Sequence, residues 1–579
     1  MPQVMLVMAS ASQIQSYIFA SNKLREQVGA SHLVAQATGA WALEAVQESM
    51  KESAGRSNVK NAGALHLDEA FVIEDTKTGS AAEVIYSGGG NVEVLFTERA
   101  AADAFVRALS ERLLCEAPGL RVAFGRSDFF EWNHGIIGAA EQARKDLEKA
   151  KRAMAAGGGG LLGLGVTAAC IYTGLPATAV DDGAPISAES KARLDAFDAA
   201  DERLRRKFER ALGDYRFPYD LDKLGRSRGE DSHVAVIHAD GNGFGVLRSN
   251  ALKDAKDDRE YVRRARHFSD VIRAIADEAL DATLDALCER VRRDFVVHGF
   301  PCIRHEIEGR DITIDLKPVK REGDVTYLPV RPIIHGGDDL TVACDGRIAL
   351  SFAEEYLHQF EAASGRHIRD LKDAPPYLTA CAGVAIVRAH FPFARAYELS
   401  EELCDEAKKR RAEVQRTAKD EKQEPGSFLD WHIAMSGLIG DLEEIRERDY
   451  RIHKRGADAE WLTLRPVKVG AAHDERDVRL WGTIARGTLA FQLDWADKRN
   501  KVKALREALR GGMQSVKQFS TNYLQLNGPA ASVLPVLPGV DAEKYGWVDK
   551  RCAYYDAVEL MDMYVPLSAA AVDGGEDKK

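Results

Sequence analysis

One order of elements occurs twice along this chain: strand, helix, hairpin with a glycine turn, helix, strand. In the first pass residues 4–8 form the leading strand. Residues 83–86 and 92–96 flank Ser87-Gly88-Gly89-Gly90-Asn91, and residues 120–124 close the unit. In the second pass residues 234–239 lead. Residues 325–334 and 340–344 flank Gly336-Gly337-Asp338-Asp339, and residues 378–387 close. Apolar positions at helical spacing predict helices over about 31–50, 97–113, 139–155, 261–294, 348–363 and 394–417. Such a repeat predicts two ferredoxin-like α+β units, each an antiparallel sheet with helices on one face.

At 579 residues the chain is too long for one ordinary core. The expected division is 1–173, 174–231, 232–435 and 436–579. Residues 164–172 read as a strand ending the first unit, after a glycine break at 157–160. Residues 174–187, rich in Gly, Pro, Asp and Ala, read as a linker, and 188–212 as polar helix. From about Arg479 the chain reads as mostly helical, with 501–509 and 513–524 the clearest pieces, and the tail 572–579 as frayed.

The two turns differ in chemistry. Asp338 and Asp339 sit at the second, and the apolar strand 234–239 ends in Asp240-Gly241-Asn242-Gly243-Phe244-Gly245. Gly and Asp are ordinary turn residues, so the hairpin alone decides little. A strand-end acid beside an Asp-Asp hairpin is how polymerase-type palms and nucleotide cyclases hold two divalent metals. Mg²⁺ or Mn²⁺ prefers hard oxygen ligands, and two ions about 3.5–4 Å apart need several carboxylates. The expected metal ligands are Asp240, Asp338, Asp339 and the Gly241 carbonyl; the three acids are the expected catalytic residues. Gly241, Asn242, Gly243, Gly336 and Gly337 are expected to let backbone approach a triphosphate, although no Gly-Lys-Ser/Thr follows to make a P-loop. Lys408 and Lys409, within a charged helix, are expected to reach phosphate oxygens; Arg410 and Arg411 read as solvated, as do the charges at 416–426. His238 and His335 alternate with buried positions and read as structural. His473-Asp474 reads as a surface pair.

Net charge is −11, with 45% hydrophobic and 29% charged residues, so the whole surface is no nucleic-acid glove, while a local basic patch stays open. No apolar run is long enough to span a bilayer, and the N-terminus lacks a signal-peptide pattern. Eight scattered cysteines form no C-x-x-C pair, so neither a zinc ribbon nor a disulfide scaffold is expected. The expected compartment is the cytoplasm.

Several blocks in a fixed order carry a resemblance. They are Ser12-Gln13-Ile14-Gln15-Ser16-Tyr17-Ile18-Phe19-Ala20, Asn22-Lys23-Leu24-Arg25-Glu26 with Gly29-Ala30-Ser31, and Tyr86-Ser87-Gly88-Gly89-Gly90-Asn91. Then come Ala239-Asp240-Gly241-Asn242-Gly243, Gly336-Gly337-Asp338-Asp339, Ala396-Tyr397-Glu398-Leu399, Ala407-Lys408-Lys409 and Phe428-Leu429-Asp430-Trp431-His432. Over about residues 4–432 the chain resembles the large polymerase-like subunit of type III CRISPR effector complexes. The resemblance implies two palm domains packed together, a helical linker and a C-terminal helical domain. It implies a degenerate first palm that helps hold nucleotide at Gly89, Gly90 and Asn91, and a second palm carrying the acids. It further implies ATP joined into cyclic oligoadenylate, with crRNA, target RNA and other CRISPR subunits as partners and no membrane. Two departures accompany it: the chain opens on the palm, so no His-Asp nuclease activity is expected, and isolated Cys170 and Cys302 build no zinc module. A scaffold subunit binding crRNA and partners is one alternative. A diguanylate-cyclase-like enzyme is the other, although Leu340 replaces that family's aromatic.

Overall fold

The computed structural model describes residues 2–567 except 62–64, 77–78, 157–164, 222–223, 225–232, 300, 308–309, 317–320, 372–373, 418–423, 435–439, 453–458, 471–477, 496–497, 526–533, 538 and 541–544. The predicted glycine break, most of the 416–426 charge run, His473-Asp474 and the tail fall outside them.

The first unit runs β1 (Gln3–Ser12), α1 (Leu24–Ala37), α2 (Ala40–Glu52), β2 (Ala81–Gly88), β3 (Asn91–Phe96), α3 (Arg99–Glu116), β4 (Arg121–Arg126) and α4 (Ile136–Ala156). Its strands lie in the order β2-β3-β1-β4, antiparallel, with Arg56–Ser57 beyond β2. Gly88 pairs with Asn91, and Gly89 and Gly90 at the tip have φ of 56° and 80°. Two successive positive φ values are what a type I′ turn needs, and glycine adopts them without Cβ strain.

Beyond residue 174 the predicted linker contains a two-stranded hairpin, Ala177–Asp181 with Ala184–Ser187. Helices α5 (Ala188–Asp195) and α6 (Phe197–Lys207) follow as expected. No strand forms at 165–172; an isolated bridge between Ala169 and Pro176 is the only pairing there among the described residues.

The second unit runs β5 (His233–Gly241), α7 (Phe244–Lys253), α8 (Asp258–His298), β6 (Val330–Gly336), β7 (Asp339–Asp345), α9 (Ala349–His367), β8 (Ala380–Arg388), α10 (Phe393–Thr417) and β9 (Phe428–Ile433). The order β6-β7-β5-β8 repeats that of the first sheet, and β9 and Val467–Lys468 extend it. The expected single strand over 325–334 is broken. Val325–Tyr327 pairs with Arg321–Glu322 and Tyr215–Arg216 instead, and β6 starts only after Pro329, which has no N–H to give a ladder.

Both sheets carry helices on both faces, not one as expected. Met5, Val7 and Ala9 share a buried cluster with Trp41, Ala45 and Phe105 of α2 and α3. Leu6 and Met8, one residue out of phase, meet Ile136, Ala140 and Ala143 of α4. In the second sheet Ala235 and Ile237 share a cluster with Leu280 of α8 and Phe352 of α9, while Val234 and Val236 cluster with Phe393 and Ala396 of α10. In each unit the helix after the last strand covers the second face. This explains why the central strands read as continuous apolar runs rather than alternating ones. Val7 and Val236 belong to one cluster, so the two sheets share a core.

The 41-residue α8 joins the units. Asp258 at its start accepts from the N–H groups of Asn133, Gly135 and Ile136 (2.9, 3.2 and 3.0 Å), capping α4. Arg259 and Arg266 both pair with fully buried Glu83 of β2 (2.6 and 2.8 Å).

The C-terminal region is helical as expected, with α11 (Trp481–Asp494), α12 (Arg499–Arg510), α13 (Met513–Phe519) and α14 (Tyr554–Leu560), and it adds a sheet of four two-residue strands. Its docking onto α9 uses Ser351 Oγ, which donates to the Val565 carbonyl (2.7 Å), and Tyr564 Oη, which donates to Glu354 (3.3 Å). Burial pushes Glu354 from 4.5 up to about 7. Between those values the folded chain holds a proton that the unfolded chain has lost. The stability is therefore full below about pH 4.5 and falls as pH rises through about 7. Glu354→Gln is expected to remove about 1–3 kcal/mol of this pH dependence, read from urea midpoints at pH 5 and pH 8.

Candidate active site

Three carboxylates meet where β5 leaves the second sheet. Asp240 stands opposite Asp339 in the β5–β7 ladder, and the Gly241 N–H donates to the Asp338 carbonyl (3.1 Å). Gly337, with φ of 65°, leads the turn and Asp338 follows, the glycine-first pattern of a type II′ hairpin. A Cβ on Gly241 would lie 2.1 Å from the Phe244 ring and 2.9 Å from the Asp338 Cβ. Only glycine lets β5 end this close to the hairpin.

Electrostatics mark the cluster. Burial, then the Asp240 charge, pushes Asp338 up to about 6; the same two causes and Asp338 itself push Asp339 to about 8. Lys408 of α10 pairs with Asp240 Oδ2; burial opposes its charge, but that hydrogen bond holds its ammonium above the usual range. Asp339 Oδ1 is buried without a hydrogen-bond partner, 3.4 Å from His238 Nδ1. Burial lowers His238 to about 4 and keeps it neutral.

Lys409, one position on, faces away: it is 72% exposed and pairs with Glu406 (2.7 Å). Asn242 turns from the carboxylates. Its Nδ2 donates to Thr379 Oγ1 (3.0 Å), and its N–H donates to the Thr379 carbonyl (2.9 Å). Arg411, expected to be solvated, donates to the same hydroxyl (3.2 Å) and pairs with Glu424. This network ties the loop after Asp240 to the start of β8. Gly89, Gly90 and Asn91 lie on the other sheet, where the Gly90 N–H donates to Thr38 Oγ1 (3.2 Å) and Asn91 Nδ2 to the Gly89 carbonyl (3.1 Å). Tyr86 of β2 stands at the first turn, its hydroxyl 2.9 Å from where a Cβ on Gly89 would lie. Burial raises its phenol, and the charges of Arg273, Arg248, Glu93 and Asp338 all reach it.

Sequence reasoning missed Arg411, Thr379, Tyr86, Arg248 and Arg273. Tyr86 stood beside a turn already singled out, whereas the other four carry no local signal. His335 behaves as expected of a structural histidine, with Nε2 2.9 Å from Asp277 of α8.

Among the described residues, no group of three or more His, Cys, Asp and Glu side chains is posed around one ion. The donor set nonetheless fits a hard divalent cation: acids that raise one another's pKa and an orphaned carboxylate oxygen both lack positive charge. All eight cysteines are free and scattered.

Residues 233–418 match the family model for the Cas10/Cmr2 second palm domain. Over those residues the chain resembles that domain. No curated protein matches it. Among solved structures, a Csm1–Csm4 cassette in complex with pppApApA is 12% identical, covering 97% of this chain and 69% of that one at TM-score 0.48. Csm1 of T. onnurineus is 14% identical, covering 97% and 70% at 0.47. A Csm1–Csm4 cassette in complex with cA4 is 14% identical, covering 70% and 53% at 0.38. The chain thus spans about half the length of that last structure. No helix among its described residues is long and apolar enough to cross a membrane.

Proposed function

We propose that this chain is a nucleotidyltransferase that converts ATP to a nucleotide second messenger, cyclic oligoadenylate or a related adenylated product. In this reading β5–β8 with their helices are the catalytic palm, and β1–β4 form a degenerate palm packed on it. The observation that carries the reading is the convergence of Asp240, Asp338 and Asp339 at one sheet end, with burial and mutual repulsion raising two of them. Asp240, Asp338, Asp339 and the Gly241 carbonyl would hold Mg²⁺ or Mn²⁺, which activates a ribose hydroxyl and neutralises departing pyrophosphate.

The chain's own residues supply the rest. Lys408 offsets the Asp240 charge at rest and offers a cation to phosphate oxygens. The glycines at 241, 243, 336 and 337 leave the backbone open to a triphosphate. Thr379, Arg411 and Glu424 hold the Asp240–Gly243 turn so that the acids keep their geometry. Arg273, near Gly88 and Tyr86, adds positive charge toward the first turn, Gly89-Gly90-Asn91, where nucleotide would be held, while Arg248 is matched by Glu93 (2.7 Å). Its partners would be crRNA, target RNA and other subunits of a type III CRISPR complex.

Incubation with ATP or GTP and Mg²⁺ or Mn²⁺ tests the reading. Consumption of ATP with pyrophosphate release supports it. Preference for GTP favours the diguanylate-cyclase-like alternative, and turnover of neither, with target RNA and partners present, favours a scaffold.

A further inference from the structure

One helix of the first unit carries a run of exposed cations. Helix α4 buries Ile136, Ala140, Ala143 and Leu147 against the first sheet. Its outer face presents Arg144, Lys145, Lys149 and Arg152, all exposed. None of the four makes an ion pair among the described residues. Of the two acids on that face, Glu148 is already paired with Lys151 (3.5 Å). Arg144 to Arg152 spans about 12 Å of helix.

This face borders a cavity of about 390 Å³ between α4 and α7, lined by Ile137, Arg144, Gly245, Arg248, Lys253 and Tyr261. Gly245, in the first turn of α7, lines the cavity two residues after the Asp240–Gly243 turn. Exposed apolar side chains are rare here, yet Ile137 (44% exposed) lines the cavity and Val246 (68%) follows Gly245. Cations without ion-pair partners suit a phosphodiester backbone.

We infer that the α4–α7 groove binds a single-stranded oligonucleotide through its phosphates. The strand is an RNA arriving from outside, because the four cations lie on a solvent-exposed helix face; the oligonucleotide made at the acidic site is the occupant the test separates from it. Other occupants fit less well. An apolar helix would leave four cations unmatched, and an acidic peptide has no use for the cavity beside the exposed Ile137.

The test is fluorescence anisotropy on the full chain with a labelled 20-nucleotide single-stranded RNA and, separately, 5′-triphosphorylated triadenylate, across a salt series. The patch variant is R144Q/K145Q/K149Q/R152Q. The control, K191Q/R206Q/R395Q/R499Q, removes equal charge from exposed positions elsewhere. The patch variant is expected to weaken binding about tenfold or more, and its slope of log affinity on log salt to be shallower by about 3, at about 0.7 per phosphate contact. The control keeps both. Loss for the 20-mer alone identifies an arriving strand, and loss for triadenylate as well identifies the product. Unchanged RNA binding, equal loss in the control, or binding of polyglutamate in place of RNA would overturn the inference. Binding of the 20-mer is read without ATP or divalent metal, so a failed nucleotidyltransferase reading and a failed groove give different results.

Discussion

Asp240→Asn is expected to lower ATP consumption by about a thousandfold or more while leaving the fold intact. Asp240 is the one acid of the three that faces both neighbours: Asp339 across the ladder, and Lys408 through an ion pair. Losing its charge removes a ligand from a site whose metals stabilise several kcal/mol of developing charge, and each 1.36 kcal/mol is tenfold in rate. The same change relieves repulsion on Asp338 and Asp339, both pushed up partly by Asp240. Folded stability should therefore change little, the lost Lys408 pair offsetting that relief. Loss of activity with a nearly unchanged urea midpoint is the expected pair of results; equal loss of both would make Asp240 a structural residue.

The second large effect lies far from the acids. Asp556 of α14 is fully buried, accepts from Thr463 Oγ1 (2.9 Å) and the Leu464 N–H (2.7 Å), and forms an ion pair with Arg465, whose Nε lies 3.0 Å away and donates to Thr463 Oγ1 (2.8 Å). Arg465, itself 1% exposed along its side chain, lies over the rings of Tyr450 and Trp431 and donates to the Trp431 carbonyl (2.8 Å). That carbonyl belongs to β9, so the cluster pins the C-terminal helices to the second sheet. Asp556→Ala leaves a buried guanidinium with one weaker acidic partner, Glu559 at 3.3 Å, and is expected to cost about 3–5 kcal/mol in urea unfolding followed by tryptophan fluorescence. Asp556→Leu combined with Arg465→Met should recover most of that, because apolar groups of similar volume replace a buried pair at little net cost.

The central strands and both glycine turns were legible in the sequence because apolar runs ending in Gly or Asp-Gly leave few alternatives, whereas the strand expected over 164–172 does not form at 165–172 and that over 325–334 is broken at Pro329. The second covered face of each sheet was not legible. A strand buried on both sides reads as an apolar run, which does not say what covers it. Lys408 and Lys409 show the limit at side-chain scale: adjacent residues on a helix point about 100° apart, and only the packing of α10 on β8 decides which faces Asp240. The Asn242–Thr379 bond joins residues 137 apart, and no local pattern announces it. The same holds for Arg411, which looked solvated within a charge run and instead closes that network. The two-residue strands of the C-terminal sheet are too short for period-2 alternation to register.

The most direct measurement is mass spectrometry of the products formed from labelled ATP with Mg²⁺ or Mn²⁺, comparing the unmodified chain with Asp338→Ala/Asp339→Ala, each with and without target RNA and partner subunits. The account predicts an adenylated product, linear or cyclic, that disappears in the double variant while its fold remains. Product from the double variant, or none from the unmodified chain under any of these conditions, would contradict it.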